Sequence, residues 1–423
     1  MTEIPKGFKT LLPEEAERLK KVISTMEEVV SKWGYCPLEL SLMEFLGTFK
    51  LVDEDFEEFS FKTIDRTTGK LLAVRPDFTP QVARVVASVF KGESPPLRFY
   101  YCGKVYRDLN EEREIFQFGF ELIGAPESEA DAEVVAVLVD IFETLGLKSF
   151  QIDIGHSEFV EGAIEEIGVK DRETFRNLLL HKDFSGIEEF LARESVSREK
   201  REKAETLLEL YGGREVLERA VEVFENERSV RAIERLKEVY EILSSYGFES
   251  RVIFDLSERR GLKYHSGITY EVFHPLFSSS LAFGGRYDKL LGLFGKDMPA
   301  TGIAVRVDSL VEVLVRKGVF EDSKKDIYIV DLEKKKGLAY NLAKKLREKG
   351  FVVARDIVKR EENLSVLVAK KKGYKHVVVL NRKNPPRHVL ISGERRIVLE
   401  EDNLFESVIK ALKEVEVESG SGH

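Results

Sequence analysis

Residues Ile115 to Gly124 alternate so that Phe116, Phe118, Phe120 and Leu122 fall on one side of an extended chain, with Gln117, Gly119, Glu121 and Ile123 on the other. A helix would scatter those rings around its circumference, so the segment reads as a strand with one face in a core. The opposite face is polar and interrupted. Gly119, having no side chain, leaves open floor between an amide and a carboxylate, where Glu121 could take a ligand's ammonium in a charge-assisted hydrogen bond. The plain alternative is a solvated sheet face. Arg98 to Tyr106 supplies a second strand, and the polar stretch Arg107 to Glu114 joins the two as a hairpin with a substantial loop.

Around this pair the chain punctuates itself. Glu14 to Trp33 places Leu19, Val22, Ile23, Met26, Val30 and Trp33 at helical spacing between Pro13 and Gly34. Thr79 and Pro80 open a second helix, which sets Asp77 just outside a helix N-terminus, where the dipole favours an ionised acid; ordinary capping is the alternative. Glu129 to Leu145 is helical, and Phe150 to Ile154 is a strand leading into Gly155 and His156. From about 171 to 246 the pattern is helical and highly charged, as an insertion would be. Strand and turn signals return from Arg251 to Asp308. Beyond the charged stretch Arg316 to Lys325, strand and helix alternate as in a small α/β domain. The expected division is therefore 1–320, containing the insertion 171–246, and 321–418, with Ser419 to His423 as a cloning remnant.

A chain of 423 residues is too long for one core, and 43% hydrophobic with 33% charged residues is the composition of a soluble globular protein. The apolar runs are too short for a membrane span, the N-terminus lacks a signal-peptide core, and Cys36 and Cys102 make no disulfide framework, so a cytoplasmic protein is expected. The formal charge of −9 is uneven: residues 321–420 carry 23 Lys+Arg against 17 Asp+Glu, leaving the remainder at −15. A mildly basic module on an acidic body can touch RNA, but so small an excess is more often a solvated lysine-rich face. P-loop, HExxH, paired CxxC and nucleophile-elbow patterns are absent, and neither cofactor nor metal is expected. Arg259-Arg260-Gly261-Leu262-Lys263-Tyr264-His265-Ser266-Gly267 sets adjacent cations between glycines, which suits an anionic partner or a surface turn; His265 alone reads as a satisfied structural histidine.

Taken together, these segments resemble the class II aminoacyl-tRNA synthetases, and within them the histidyl branch, over essentially the whole chain. Leu72 to Gln81 is similar to the end of the first class II motif, and Phe99 to Gly124 to the strand-loop-strand second motif. Arg260-Gly261-Leu262-Lys263-Tyr264-His265 resembles the arginine-glycine-leucine-aspartate-tyrosine-tyrosine signature of histidyl enzymes, and Gly284-Gly285-Arg286-Tyr287-Asp288 also recurs in that branch. The resemblance implies an α+β fold: a six- or seven-stranded antiparallel sheet flanked by helices, the helical insertion, and a C-terminal α/β domain like the anticodon-binding one. It also implies that Asp77, Thr79, Arg107, Gln117, Glu121, Arg260, Tyr264 and His265 line a histidine pocket.

The departures from the synthetase pattern concern ATP. Where the enzyme has a glutamate two residues beyond the second-motif arginine to read adenine, this chain has Leu109 after Arg107-Asp108, and the loop up to Gln117 is shorter. Ser309 stands where the third-motif arginine would clamp the triphosphate, and Arg306 replaces a glycine. Removing that guanidinium leaves developing phosphate charge without a preorganised counter-charge, a loss of several kcal/mol. His265 replaces a tyrosine. Arg75-Pro76-Asp77-Phe78-Thr79-Pro80-Gln81 and Asp153-Ile154-Gly155-His156 resemble the regulatory subunits of ATP phosphoribosyltransferase rather than the synthetase. That likeness implies a non-catalytic subunit of histidine biosynthesis. Its partners would be a short catalytic phosphoribosyltransferase chain, a second copy of itself within a hetero-oligomer, and histidine as effector. Many members of that family end soon after the third motif, whereas this chain continues. The competing readings are a divergent histidyl-tRNA synthetase, favoured by Arg107, Arg113 and Arg260, and a paralogue sensing uncharged tRNA, favoured by the +6 balance alone.

Overall fold

The alternating segment is a strand, and both of its faces are covered. The structure is a computed structural model that describes residues 3–420 apart from 110, 258–262, 322–324, 334–335 and 382–386. It divides into two compact units, Met1–Phe320 and Glu321–His423, each taken by itself here.

The first unit begins with α1 (Pro13–Lys32), β1 (Cys36–Pro37) and β2 (Met43–Phe45), then α2 (Leu46–Lys50), α3 (Phe56–Phe59), β3 (Lys62–Ile64), β4 (Leu71–Val74) and α4 (Thr79–Val89). The hairpin follows as β5 (Leu97–Tyr106) and β6 (Glu114–Ile123), then α5 (Ser128–Thr144), β7 (Gln151–His156) and α6 (Ser157–Ile167). The insertion comprises α7 (Arg172–Leu180), α8 (Phe184–Arg193), α9 (Arg198–Glu209), β8 (Tyr211–Gly212), α10 (Glu215–Val223) and α11 (Glu227–Ser245). β9 (Val252–Asp255), β10 (Ile268–Phe273), β11 (Ala282–Arg286), β12 (Ala300–Arg306) and α12 (Val307–Arg316) complete the unit.

Nine strands form the main sheet in the order β1-β5-β6-β12-β11-β10-β7-β9-β8. This exceeds the six or seven expected because a two-residue strand finishes each edge, β1 and β8, the latter contributed by the insertion. Pairing is antiparallel except for β1 with β5 and β7 with β9. The insertion is thus not wholly helical: Tyr211–Gly212 pairs with Asp255 and Phe254 and extends the sheet. A separate sheet β2-β4-β3 carries the first-motif region.

One face of the main sheet is the large core. Phe118, Phe120 and Leu122 pack there with Val134, Val137, Leu138 and Ile141 of α5 and with Val22, Met26 and Val30 of α1. Full burial of each such side chain contributes about 1.5 to 3 kcal/mol. Embedded in this apolar layer is Asp131, 0% exposed. Arg286 Nε donates to Asp131 Oδ1 at 3.1 Å, Arg235 Nη2 to Oδ2 at 2.7 Å and the Tyr270 hydroxyl to Oδ1 at 3.1 Å. Arg235 lies on α11, so the insertion is joined to the middle of the sheet by a buried ion cluster. His156 sits beside it, its pKa pushed down to about 4 by burial, with Arg235 and Arg286 adding to the shift and Asp131 opposing it. Its Nδ1 accepts from Glu158 N at 3.2 Å, capping α6.

The second unit holds β13 (Ile327–Asp331), α13 (Gly337–Glu348), β14 (Val353–Asp356), α14 (Glu362–Lys371), β15 (His376–Leu380), β16 (His388–Ser392), β17 (Arg395–Leu399) and α15 (Leu404–Gly420). The sheet order is β14-β13-β15-β16-β17, parallel across the first three strands and antiparallel after. α13 and α15 cover one face and α14 the other. The closing hairpin β16–β17 and α15 went unread in the sequence, because a basic, proline-containing stretch precedes them.

Asp131→Ala should cost about 3 to 5 kcal/mol, since it strands two arginines near the core. Urea unfolding followed by tryptophan fluorescence at Trp33 checks this, and a loss below about 1 kcal/mol would show the cluster to be dispensable.

Candidate functional site

Tyr101 and Gly119 are cross-strand partners on β5 and β6, and Glu121 faces Gly302 of β12 in the same way. These registers build the floor of a pocket. A β-carbon at Gly119 would stand 2.3 Å from the Tyr101 ring, and one at Gly302 only 1.6 Å from a Glu121 carboxylate oxygen. Both glycines are therefore required by the side chain opposite. The floor expected to be open at Gly119 is filled by Tyr101, because a phenol from the neighbouring strand occupies the space the missing side chain leaves. The face is also not solvated, since Gln117 and Glu121 are each 2% exposed.

Asp77, Thr79, Gln117, Glu121, Tyr264 and His265 converge on this pocket, joined by Tyr101 and Tyr287, which the sequence reading had not singled out. Tyr287 lies in the quoted Gly284-Gly285-Arg286-Tyr287-Asp288 segment, and position 101 could have been found by pairing the two hairpin strands. Glu121 accepts from the Tyr287 hydroxyl at 2.7 Å, from Tyr101 at 3.2 Å and from Thr79 at 3.3 Å. Asp77 accepts from Thr79 N at 3.0 Å and from the Tyr264 hydroxyl at 3.0 Å. Arg107 donates from Nε to Pro76 O at 3.2 Å and so stands beside Asp77 rather than on it. His265 is buried, its ring edge-on to Tyr264 at 5.1 Å. Arg260, with Arg259, Gly261 and Leu262, lies outside the described residues. The free space between these side chains is about 20 Å³, the room of about one water.

Burial opposes the effect of the helix start on Asp77. Burial raises its pKa, outweighing the nearby Arg107 and the bonds from Thr79 and Tyr264. Burial likewise lifts Glu121 to about 7, opposed by the hydroxyls of Tyr287, Tyr101 and Thr79 and reinforced by Asp77. The pocket thus holds two buried carboxyl groups whose ionisation burial opposes and that, among the described residues, make no ion pair.

The positions associated with ATP have other occupations. Leu109 is half exposed; Ser309 is buried in the first turn of α12. Arg306 pairs with Glu112, and Arg113 pairs with Asp108 while lying over the rings of Phe8 and Phe61. These pairs tie the described part of the loop to itself, through Asp108 and Arg113, and to Arg306 of β12 through Glu112.

A profile of the histidyl-tRNA synthetase family matches residues 7–310, which places the chain in that class of protein. The histidyl-tRNA synthetase of Nostoc sp. has the same fold, with a TM-score of 0.79 at 21% identity over 97% of this chain and 99% of its own. Within the class, the regulatory subunit of ATP phosphoribosyltransferase from Syntrophotalea carbinolica is 36% identical over 89% of this chain and 90% of its own. That of Geobacter metallireducens is 37% identical over 89% of each. A Bacillus halodurans structure, described as an ATP phosphoribosyltransferase regulatory subunit/histidyl-tRNA synthetase, superposes with a TM-score of 0.81 at 31% identity, over 90% of this chain and 98% of its own. The chain belongs to the family of ATP phosphoribosyltransferase regulatory subunits. The reading as a regulatory subunit, made from Leu109 and Ser309, is the one these relatives carry, and the divergent-synthetase alternative is the less supported. Among the described residues, no helix is long and apolar enough to cross a membrane.

Glu121 binds a proton more tightly folded than unfolded, so its contribution to stability is full below about pH 4.5 and is lost as pH rises through about 7. Glu121→Gln, which keeps an acceptor for Tyr287 without a charge, should raise the melting temperature relative to wild type at pH 8, with the gap closing towards pH 5. A gap independent of pH, read by calorimetric melting, would mean that Glu121 is not a strained acid.

Proposed function

We propose that this chain is the regulatory subunit of an ATP phosphoribosyltransferase in the sense of assembly: it dimerises, binds a short catalytic chain that lacks a regulatory domain, and answers to histidine without chemistry of its own. The observation that carries the histidine part is the pair of buried carboxyl groups, Asp77 and Glu121, whose ionisation burial opposes and whose partners are tyrosine and threonine hydroxyls. An ammonium placed between them would restore charge to both and replace weak partners with a strong one. Gln117, Thr79 and His265 stand at the same cavity to meet the rest of the ligand, with Arg107 nearby and Arg260 as the intended partner of its carboxylate. The free space of about 20 Å³ is smaller than a histidine, so on this reading binding couples to movement of the pocket wall.

Dimerisation is assigned to the first-motif region. There Phe45, Ile64 and Leu71 of the sheet β2-β4-β3, together with Leu51, leave apolar surface exposed on one small element. tRNA is not a proposed partner, and the place of action proposed is the cytoplasm.

Mixing the purified chain with a short catalytic chain should give a larger complex by sedimentation and a strong gain in phosphoribosyl transfer. The chain alone should show no histidine-dependent pyrophosphate exchange with ATP, and Ser309→Arg alone should not restore it while Leu109 and the short loop remain. Independent sedimentation with unchanged transfer, or robust exchange, would refute the assignment.

Glu121→Ala should weaken histidine binding by about 2 to 5 kcal/mol while leaving the fold intact. Because the ammonium competes with the proton on Glu121, wild-type affinity should rise with pH up to about 7 and then level off. Titration calorimetry on both proteins decides this; equal affinities would place the effector elsewhere and make the pocket a relic.

A further inference from the structure

Helix α14 turns only part of its apolar surface to the sheet, where Val366 packs against the core beside Ala369. Its buried residues are Ser365 and Ala369, whereas Leu364 and Leu367 are 51% and 48% exposed. A surface helix ordinarily turns its large apolar side chains to the core. Just before it, Ile357 is 87% exposed and Val358 54%. This exposure is held in place. The Asp356 carboxylate, its side chain nearly buried at the end of β14, accepts from Val358 N at 3.1 Å and from Arg360 Nη1 at 2.7 Å, with the Ser365 hydroxyl of α14 beside it. One carboxylate thus fastens Val358 and Arg360 of the loop that leads into the helix, where four aliphatic side chains lie exposed.

The rim of this surface is basic, with Lys359, Lys371 and Lys372 exposed against the single exposed acid Glu361, while Glu362 is paired with Arg396. Two copies meeting through the same face would set lysine against lysine, which charge opposes. Single-stranded RNA is gripped by exposed aromatic faces. Here the rings of Tyr328 and Tyr374 pack on one another at 5.0 Å and the exposed groups are aliphatic. Strand addition is also discouraged at the neighbouring edge strand β14, where the Arg347 guanidinium takes the Val353 carbonyl at 2.7 Å.

We propose that the outer face of α14, with Ile357 and Val358, docks a protein surface that is aliphatic at its centre and carboxylate at its rim, and that in the assembly described above this surface belongs to the catalytic chain. The proposal rests on that assembly reading and gives the C-terminal unit its task. Apolar centres with a charged rim are the anatomy of a specific protein contact, in which the centre sets the dissociation rate and the rim the association rate.

The test uses the full chain as wild type, Leu364→Glu/Leu367→Glu and Lys359→Glu/Lys371→Glu, with the catalytic chain as probe. Both leucines are exposed, so the fold should survive; Leu367→Ser is a milder second variant. Association of the leucine double variant should be at least tenfold weaker, and of Leu367→Ser measurably weaker, with sedimentation of each variant alone unchanged. The lysine variant should associate more slowly and lose most of its salt dependence. Wild-type affinity in the leucine double variant overturns the proposal. So does dissociation of the variant's own dimer, which would make the occupant a second copy, or loss of tRNA binding with assembly intact, which would make the face an RNA surface. If the wild type itself does not bind the catalytic chain, the assembly reading fails and takes this proposal with it; the wild-type trace alone distinguishes that case.

Discussion

A carboxyl group buried at 2% exposure, with no ion pair among the described residues, governs the arrangement of the first unit. Glu121 is placed on the ligand side of the sheet by the alternation of β6, and the sheet can close over it only because Gly302 lies opposite. Once there it must be satisfied, and the two tyrosines and the threonine that do so arrive from β5, from the residue after β11 and from the start of α4. Their hydroxyls lower the cost of burying the acid without abolishing it, as its pKa of about 7 records. A site that is unhappy when empty gains more from a cationic ligand than one already neutralised by an arginine.

The same strand end serves both faces of the sheet. Arg286, the last residue of β11, points to the core side and binds Asp131, while Tyr287 next to it binds Glu121 on the ligand side. Asp131 in turn holds Arg235 of the insertion. A continuous run of short polar contacts therefore joins the pocket carboxylate to the helix that closes the insertion, through side chains that have little freedom to move alone. Such a path is the physical condition for the state of the pocket to be felt on the far side of the sheet.

Much of this was legible in the sequence where a pattern is local. The period of two in β6 gave both faces, Pro13 and Gly34 bracketed α1, and Thr79-Pro80 marked the start of α4. What escaped depends on which strand lies beside which. Nothing in residues 97 to 106 says that Tyr101 will fill the gap at Gly119; that follows from register alone. Asp131 could have been suspected, being an acid on the apolar side of a helix, but its two arginines lie more than a hundred residues away. Helix proximity, which favours the ionised form of Asp77, is visible in sequence, whereas the burial that opposes it is not. The edge strands β1 and β8 are two residues long and carry no periodicity to read.

The two groups of departures from the synthetase pattern differ in kind. On the ATP side the differences implied by the resemblance are an adenine-reading glutamate, a triphosphate-clamping arginine and part of a loop, and Arg306 there is tied locally to Glu112. The histidine side cannot be eroded so simply, because its acid is wedged against a glycine and wired to three hydroxyls. Removing Glu121 would leave Tyr101 and Tyr287 with buried donors unpaired, at a cost of about 1 to 3 kcal/mol for each group so stranded. Packing alone would thus preserve the pocket after catalysis was gone.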